Sequence, residues 1–257
     1  MSLRRWLGPL GRYRPGLLRR NMASGFHNCD GWTLPGWTRL PGLRSPEERL
    51  LETLPLQGLV VYDVGAFNGA YSLFFSRRVG DRGRVVAFEP RAAGFTTLLS
   101  NLERNQIRNV LPLQGALCAE PGDRSIFMLP GMPTTAYLAS EARTPWRLAA
   151  GAVRVEKLDV LMGAVPLPPP QFIKIDVEGY ELEVLRGARA TLNAHRPDLL
   201  IEVHGTSARH KCDRTQAISE LLHPLGYSLL HAESGVQLCA GAAGPASGHL
   251  FARAEEG

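Results

Sequence analysis

Five ionisable side chains interrupt two short apolar segments and could carry out acid–base chemistry. Lys174, Asp176 and Glu178 alternate along one segment, and Glu202 and His204 alternate along the other. Alternate residues of a β-strand share a face, so Lys174 and Asp176 are expected together, as are Glu202 and His204. If the two segments are neighbouring strands, the acids and the histidine converge on one cleft, as general-base chemistry on a hydroxyl requires.

The chemistry of each group predicts its role in this cluster. An imidazole near its unperturbed pKa of roughly 6.5 is half available as a base near neutrality, so His204 and Asp176 are the first candidates for the general base. Glu178 and Glu202 are the second candidates, and Lys174 is expected to orient a carboxylate. Because buried charges are costly unless they are paired, a purely structural ion pair of Lys174 with Asp176 or Glu202 is the alternative.

A glycine-containing turn lies upstream of these segments. A short apolar run ends at Asp63, and Gly65 and Gly69 bracket a turn into a predicted helix. Glycine permits positive φ and close approach to a ligand, but Phe67 stands where a pyrophosphate-binding turn needs its middle glycine. The turn therefore favours a nucleoside with a short charged tail, as in S-adenosylmethionine, which Asp63 would face directly or through water. A structural βα turn capped by an Asp is the alternative.

Other strand ends complete the predicted nucleoside site. Glu89 ends the next apolar run, where an acid can accept hydrogen bonds from both ribose hydroxyls. Ala116 ends the third run, near the expected adenine, and Asp176 borders the site from the fourth. A surface Glu at a strand end is the alternative for Glu89, although the combination with Asp63 is more specific than either acid alone.

Alternating apolar runs and helical patterns predict the framework that positions these residues. The seven predicted strands are LVVYDVGA, RVVAFEP, NVLPLQGAL, FIKIDV, DLLIEVHG, GYSLL and GHLFARA. Strands that alternate with helices imply an α/β fold with a mostly parallel sheet and helices on both faces. No helix-sized segment separates the last two strands, so we expect them to form an antiparallel hairpin at the sheet edge.

Local patterns add finer predictions. Ser45, as an N-cap before Pro46, predicts the start of a helix. AYSLFFSRRV and GYELEVLRGARATLNAH predict one helix each. The segments Gly31–Pro46 and Glu120–Pro170 are expected to be irregular, with SIFML and VRVEKLDVLM as short elements in the second.

The length of 257 residues and a hydrophobic content of 44% suit one large domain with an extension. We predict a basic, irregular extension at 1–44 and the catalytic domain at 45–257. The extension has no acid before Asp30, and the chain carries a formal charge of +5. The extension lacks interleaved aromatic and basic residues beyond Trp6 and Tyr13, which argues against nucleic acid as a partner.

Composition also bears on location. No stretch approaches the roughly 18 apolar residues of a membrane span. The four cysteines lie far apart without a CxxC pair, which indicates a reducing compartment. We therefore predict a cytoplasmic protein, with the Arg-rich start as an organelle transit peptide being the alternative.

With these residues in place, the chain resembles the FkbM-type family of class I methyltransferases. The likeness runs from about Leu59 to His204 and is carried by DVGAFNG, AFEP, VEKLDVLM, IKIDVEGYELEVLRGA and PDLLIEVHG. It implies a seven-stranded Rossmann-like methyltransferase fold and methyl transfer from S-adenosylmethionine. The usual acceptor of the family is a hydroxyl oxygen of a sugar, glycan or polyketide-like metabolite.

The resemblance also implies roles by position. By this resemblance, Asp63, Gly65 and Gly69 bind the methionine part of the cofactor, and Glu89 binds its ribose. Lys174, Asp176 and Glu178 line the junction between the cofactor and the acceptor.

Rival interpretations remain open from the sequence. A nicotinamide-dependent oxidoreductase could use the same sheet, although Phe67 in the turn argues against it. A non-catalytic protein of the same fold could act as a partner module. Several acids together would permit metal assistance, but the sequence fixes no set of metal ligands. The segment Glu120–Pro170 and the extension are expected to enclose the acceptor, which is a small molecule or a glycan.

Overall fold

The computed structural model describes residues 26–29, 32–35, 45–129, 132–138, 148–240, 244–245 and 247–255. Within these residues, the strands are β1 (Phe26–Cys29), β2 (Trp32–Pro35), β3 (Val60–Val64), β4 (Arg84–Phe88), β5 (Val110–Leu113), β6 (Ala116–Leu117), β7 (Gly122–Leu129), β8 (Met132–Leu138), β9 (Leu148–Glu156), β10 (Phe172–Ile175), β11 (Asp198–Glu202), β12 (Tyr227–His231), β13 (Gln237–Leu238) and β14 (His249–Ala254). The α-helices are α1 (Pro46–Thr53), α2 (Ala70–Val79), α3 (Ala92–Arg104), α4 (Leu158–Ala164), α5 (Glu181–Gly187), α6 (Arg189–His195) and α7 (Ala208–Leu222).

The main sheet has the strand order β13-β12-β14-β11-β10-β3-β4-β5. Five successive strands of this sheet, β11, β10, β3, β4 and β5, run parallel to one another. The last strand, β14, runs antiparallel to both β11 and β12. The predicted α/β fold, the mostly parallel sheet and the antiparallel hairpin at its edge are therefore confirmed.

The strand count of the main sheet is a small correction. Seven strands were predicted, and the sheet has an eighth because β13 pairs with the outer edge of β12. Two residues are too few to produce an alternating pattern in a sequence.

Helices cover both faces of the main sheet, as predicted. Tyr62 and Val64 on β3 pack in a cluster with residues of α4, α5, α6 and α7. Val61, between them, faces the other way and packs with residues of α1 and α2. This alternation is what a strand buried on both faces requires.

Two predicted helix starts are confirmed. Pro46 is the first residue of α1, and the backbone N–H of its N-cap, Ser45, donates to the Glu48 carboxylate. The AYSLFFSRRV helix, α2, begins after Gly69 at φ +82° and carries Arg77 and Arg78 in its last turn, where they complement the negative helix end.

A second sheet corrects the expectation for the region after the third predicted strand. NVLPLQGAL forms two strands rather than one, since β5 belongs to the main sheet and β6 to a sheet of order β6-β9-β7-β8. Ala116 lies opposite Val155, and Gly122 lies opposite the same residue from the other side. These partners are far apart in sequence, and the strands carry Gly and Pro without regular alternation, so local pattern did not reveal them.

A hairpin corrects the expectation of an irregular extension. Strands β1 and β2 pair antiparallel. Leu34 is fully buried in a cluster with Leu73 and Phe95, and the Thr33 N–H donates to the Asn105 side chain at 2.8 Å. Short strands of this kind gain their stability from packing on the domain, which a local pattern does not record. The boundary at residue 45 stays a prediction, and residues 1–25 of the basic arm lie outside the described part.

The single helix predicted after β10 is two helices, α5 and α6, with Ala188 between them. The carboxylate of Asp159 on α4 accepts hydrogen bonds from the N–H groups of Ala190 (2.9 Å) and Thr191 (2.8 Å), so it caps the start of α6 from another helix. A cap supplied from outside the segment cannot be seen in the segment itself. No helix in the described part of the chain has the length and apolar character needed to cross a membrane.

Candidate active site

A pocket lies at the carboxyl ends of β3, β4 and β10, where a sheet of this topology binds its ligand. We call it the strand-end pocket. Its lining residues are Val64, Gly65, Phe67, Phe88, Glu89, Pro90, Arg91, Gly115, Ala116, Leu117, Ile126, Asp176, Val177, Glu178 and Tyr180. Of the predicted site residues, Gly65, Glu89, Ala116, Asp176 and Glu178 lie on its wall, whereas Asp63 and Gly69 do not.

The glycine turn shapes the floor of the strand-end pocket. Gly65 has φ +90°, and a Cβ there would stand 1.8 Å from the backbone oxygen of Asp176. The turn after β3 therefore passes against the end of β10 with no room for a side chain. Gly69 has φ +82°, and a Cβ there would stand 2.4 Å from Leu98 Cδ1. Its close contact is with α3 and not with the pocket.

Asp63 lies below the turn and is fully buried. Its Oδ2 accepts a hydrogen bond from the Ser72 hydroxyl at 2.6 Å, and its Oδ1 has no hydrogen-bond partner among the described residues. Burial raises the pKa of this carboxyl, while the nearby Lys174 charge opposes the rise. Asp63 does not line the strand-end pocket, and its predicted contact with a ligand, directly or through water, stays a prediction.

Glu89 occupies the pocket wall and is 3% exposed. One oxygen accepts from the Phe67 N–H at 2.9 Å, and the other accepts from the Arg91 N–H at 2.9 Å and from Arg91 Nε at 3.2 Å. Burial raises the pKa of Glu89 despite these partners. Gly94 leaves the space that the carboxylate fills, since a Cβ there would stand 2.7 Å from Glu89 Oε1.

Phe67 and Arg91 were not assigned a role from the sequence. The Arg91 guanidinium lies 4.7 Å from the centroid of the Phe67 ring, and both residues line the strand-end pocket. Phe67 adopts φ +49°, which is uncommon for a large side chain. In the sequence, the position of Phe67 between the two glycines of the turn could have indicated that it lines the pocket.

Lys174 and Asp176 form the ion pair considered from the sequence. Lys174 Nζ donates to Asp176 Oδ2 at 2.9 Å and lies 4.3 Å from the centroid of the Tyr71 ring. Burial disfavours the ammonium, but the carboxylates of Asp176 and Asp63 outweigh that effect and raise the pKa of Lys174. The Lys174 ammonium therefore holds the Asp176 carboxylate, and the role of Lys174 in orienting this acid during the reaction stays a prediction.

The neighbouring strands bring four predicted residues together beside the pocket. We call this group, Asp176, Glu178, Glu202 and His204, the acidic cleft. His204 Nε2 lies 3.5 Å from Glu202, 3.6 Å from Glu178 and 3.9 Å from Asp176. The predicted convergence of the two strand ends is therefore present, and Asp176 and Glu178 belong to both the cleft and the strand-end pocket.

The surroundings of His204 correct the pKa that was assumed for it from the sequence. Burial lowers the pKa of His204, but the hydrogen bond to Glu181 and the carboxylates of Glu181, Glu202 and Asp176 outweigh it and raise the pKa to about 9. The unperturbed pKa assumed from the sequence does not apply. At neutral pH the ring is therefore an imidazolium, and its Nε2 lies at ion-pair distance from three carboxylates.

Glu178 has a special backbone and an altered acidity. It adopts φ +54° and precedes Gly179 at φ +102°, so the chain turns sharply after β10 and directs this side chain to the cleft. Burial raises the pKa of Glu178, and the neighbouring acids Asp176 and Glu202 add to the rise while His204 opposes it. Glu178 is therefore a stronger base than an ordinary glutamate.

Glu181 is a site residue that the sequence analysis placed only on a helix. Its side chain is buried, and its Oε1 accepts from His204 Nδ1 at 2.8 Å and from the Gly179 N–H at 2.8 Å. Arg214 Nη1 lies 3.5 Å from the other oxygen. The signal that could have found it is a glutamate in the first helical turn directly after the strand end.

His249 is a second missed residue, on the far side of the acidic cleft. Its Nε2 lies 3.5 Å from Glu202, and its Nδ1 lies 2.8 Å from Glu233. Burial raises the pKa of Glu202, but the His249 contact and the charges of His204 and His249 lower it to about 2. The sequence analysis predicted only that the last two strands pair with each other. The pairing of β14 with β11 places His249 here, opposite Glu202.

Two groups of described residues have ligand atoms close enough for a metal ion. One group is Asp176, Glu202 and His204, and the other is Glu47, Glu233 and His249. Within each group the ligand atoms lie within 4.8 Å of one another.

The comparisons with known proteins agree with this geometry. The model of the methyltransferase FkbM domain family matches residues 63–229, which include the ends of β3, β4, β10 and β11. The chain belongs to this family. The resemblance stated from the sequence is therefore confirmed.

Two individual relatives match part of the chain at 29–30% sequence identity. The hexuronic acid methyltransferase AglP of Haloferax volcanii is 30% identical over 169 residues, which are 65% of this chain and 65% of that protein. Methyltransferase 1 of Beauveria bassiana is 29% identical over 143 residues, or 49% of this chain and 57% of that protein. The chain thus spans about three fifths of the length of these relatives.

A solved structure supports the fold. The crystal structure of the methyltransferase FkbM from Methylobacillus flagellatus has a TM-score of 0.52 and 18% identity, and the match covers 81% of this chain and 50% of that one. At this identity the similarity shows the Rossmann-like methyltransferase fold and no more.

Proposed function

We propose that this FkbM-family protein is an S-adenosylmethionine-dependent methyltransferase that acts on a hydroxyl oxygen of a sugar or glycan. The observation that carries the proposal is the continuity of the two regions. The strand-end pocket, with Glu89 on its wall, opens at Asp176 and Glu178 on to the acidic cleft around His204. When bound, S-adenosylmethionine supplies a methyl carbon made electrophilic by its sulfonium.

The strand-end pocket fits this nucleoside. Glu89 faces it with a buried carboxylate whose spare lone pairs can accept hydrogen bonds from the ribose hydroxyls. Leu117, Ile126 and Val177 offer apolar surface for the adenine. Asp63 Oδ1 has no hydrogen-bond partner among the described residues, which suits the second predicted mode, in which this acid acts on the ligand's charged tail through water.

The acidic cleft supplies a base for a hydroxyl acceptor. Lys174 holds Asp176, so Asp176 orients the hydroxyl, and Glu178, whose pKa is raised by burial, takes the proton. His204 remains protonated and donates a hydrogen bond from Nε2. Carboxylates that accept hydrogen bonds from hydroxyl groups suit an acceptor rich in them, such as a sugar.

The relatives support the same acceptor class. AglP, by its name, methylates a hexuronic acid. We therefore expect a small-molecule or glycan acceptor, with a polyketide-like hydroxyl as the second candidate from the family. Nucleic acid is not the proposed acceptor. The cytoplasmic location, and organelle targeting by the Arg-rich start as its alternative, stay predictions.

Ligand-dependent melting tests the cofactor. At one hundred times its dissociation constant, a true ligand stabilises the folded protein by about 2.7 kcal/mol. We expect S-adenosylmethionine and S-adenosylhomocysteine to raise the melting temperature and NAD to leave it unchanged. Glu89→Gln should weaken the binding of both nucleosides by about tenfold or more, because a charged hydrogen-bond acceptor is lost. Glu120→Gln, which changes an exposed residue, should leave their binding unchanged. A shift with NAD alone would establish the oxidoreductase alternative.

Turnover tests the rest of the proposal. The protein is incubated with methyl-labelled S-adenosylmethionine and a panel of neutral hexoses, hexuronic acids, oligosaccharides and hydroxylated polyketides. We expect label on a hydroxyl oxygen of a sugar. Tight nucleoside binding with no labelled product from any member would favour the non-catalytic partner protein.

A further inference from the structure

Glu181 is a buried acid that the proposed chemistry does not use. Its side chain is fully buried at the start of α5, where an unpaired carboxylate would be costly. Burial at such a position requires compensating partners, and these partners identify what the residue does.

The partners of Glu181 come from three different elements. Oε1 accepts from the Gly179 N–H, in the turn after β10, and from His204 Nδ1, after β11, each at 2.8 Å. Arg214 of α7 lies 3.5 Å from Oε2 and also donates to the Gly179 carbonyl. One carboxylate therefore ties the turn that carries Glu178 to the histidine that faces it.

This arrangement fixes the orientation of the His204 ring. Because Nδ1 is engaged by Glu181, the opposite nitrogen, Nε2, is directed at the acidic cleft, 3.5–3.9 Å from its three carboxylates. A carboxylate that holds one ring nitrogen selects the tautomer and the direction of the other.

We propose that Glu181 is a positioning residue that holds His204 by its Nδ1–H, so that Nε2–H donates into the acidic cleft and fixes the place of the acceptor oxygen beside Glu178. The inference rests on the proposed methyl transfer and deepens it. It gives His204 the role of a hydrogen-bond donor and leaves the acceptor proton to Glu178. Removing the Glu181 charge would lower the proton affinity of His204 and free its ring to rotate.

Several charged groups surround His204 and set its proton affinity together. They are Glu181 on α5, Asp176 and Glu178 after β10, Lys174 on β10, Glu202 on β11, His249 on β14 and Arg214 on α7 behind Glu181. A test must therefore separate the contribution of Glu181 from the others.

The tautomer of His204 in the ligand-free, unmutated protein gives the first test. Nitrogen chemical shifts of labelled imidazoles are recorded above the pKa of His204, and the signal is assigned by its loss in His204→Gln. We expect the neutral ring to carry its proton on Nδ1, facing Glu181. A proton on Nε2 would overturn the proposal, and the result needs no variant of Glu181 to fold.

The second test compares two glutamates of the same helix. Glu181→Gln should lower the pKa of His204 by about one or more. It should reduce kcat by up to about 100-fold through misplacement, with the KM for S-adenosylmethionine nearly unchanged. Glu183→Gln is the control, since Glu183 is partly exposed and pairs with the exposed Arg186. It should change neither quantity.

The outcomes separate this inference from the proposed function. Methyl transfer that persists in Glu181→Gln with an unchanged pKa of His204 would overturn the positioning role alone. In another outcome, the Nδ1–H tautomer depends on Glu181 but the protein methylates no acceptor. That result would support the proposed ring geometry and overturn the proposed methyl transfer.

Discussion

The strand-end pocket and the acidic cleft adjoin at Asp176 and Glu178, yet they are built by different means. The pocket is shaped by backbone packed too closely for a side chain, as at Gly65 against the Asp176 oxygen, and by N–H groups that hold Glu89. The cleft is shaped by charges that surround one imidazole. We therefore expect the pocket to be sensitive to substitutions that add volume and the cleft to be sensitive to substitutions that change a charge.

The largest effect is expected from the charge of Glu178. Glu178→Gln keeps the size of the side chain but cannot take the acceptor proton, and loss of a general base costs about 100- to 10,000-fold in turnover. Affinity for S-adenosylmethionine should change far less. Initial rates with labelled cofactor, and calorimetry for binding, measure the two effects.

The control for Glu178 is Glu220→Gln, which removes an exposed acid of α7 that lies outside the cleft. It should leave turnover unchanged. Equal losses of cofactor affinity and turnover in Glu178→Gln would show that the cleft acts on the cofactor and would remove the distinction between the two regions.

The next largest effect concerns Lys174, the buried cation that pairs with Asp176 of the acidic cleft. Lys174→Met removes the partner of Asp176 and a positive charge that acts on Asp63, and breaking a buried pair costs about 3–5 kcal/mol. Urea unfolding of the ligand-free protein measures this loss. The control is Arg186→Met, which breaks an exposed pair and should cost less than about 1 kcal/mol. A loss no larger than the control's would mean that the charge of Lys174 does not stabilise the folded protein.

The main sheet and the positions of its functional residues could be predicted because both depend on local pattern. Buried strands are short apolar runs that end at a Gly, Pro or charged residue, and side chains alternate along them. Asp176 and Glu202 could therefore be placed at strand ends before any contact was known. That they converge follows from the adjacency of β10 and β11 alone.

The rest depended on partners that no local pattern contains. The second sheet joins Ala116 to Val155, and α6 begins where Asp159 of another helix caps it. In the site, Glu181 and His249 acquire their roles from His204 and Glu202, which the fold brings to them. The protonation of His204 was mispredicted for the same reason, because it depends on the sum of the neighbouring charges.

Added side-chain volume should destabilise the strand-end pocket, whereas a changed charge should disrupt the acidic cleft. Gly65→Ala places a Cβ 1.8 Å from the Asp176 oxygen at φ +90°, so the end of β10 must move. We expect a loss of about 3 kcal/mol in the free energy of unfolding, most of it from overpacking. The matched control is Gly58→Ala, at φ +82° with no atom of the described residues within 4 Å of the added Cβ, which should lose only about 1 kcal/mol from backbone strain. Equal losses would mean that the backbone angle, and not the close approach, defines the turn.

The smallest effect is a pH dependence that belongs to the cleft alone. The folded pKa of His204, about 9, lies above its unfolded value of about 6.5. The stabilisation is therefore fully present below pH 6.5 and is lost as the pH rises through 9, by an amount on the order of 2 kcal/mol. Urea unfolding at pH 6.5 and 9.5 should show this fall in the unmutated protein and a smaller one in His204→Gln, where His249 still titrates in the same direction. Gly58→Ala should lower stability equally at both pH values, because its effect is backbone strain. If His204→Gln loses as much stability between the two pH values as the unmutated protein does, the imidazolium does not stabilise the cleft, and the contrast between a region built on shape and one built on charge does not hold.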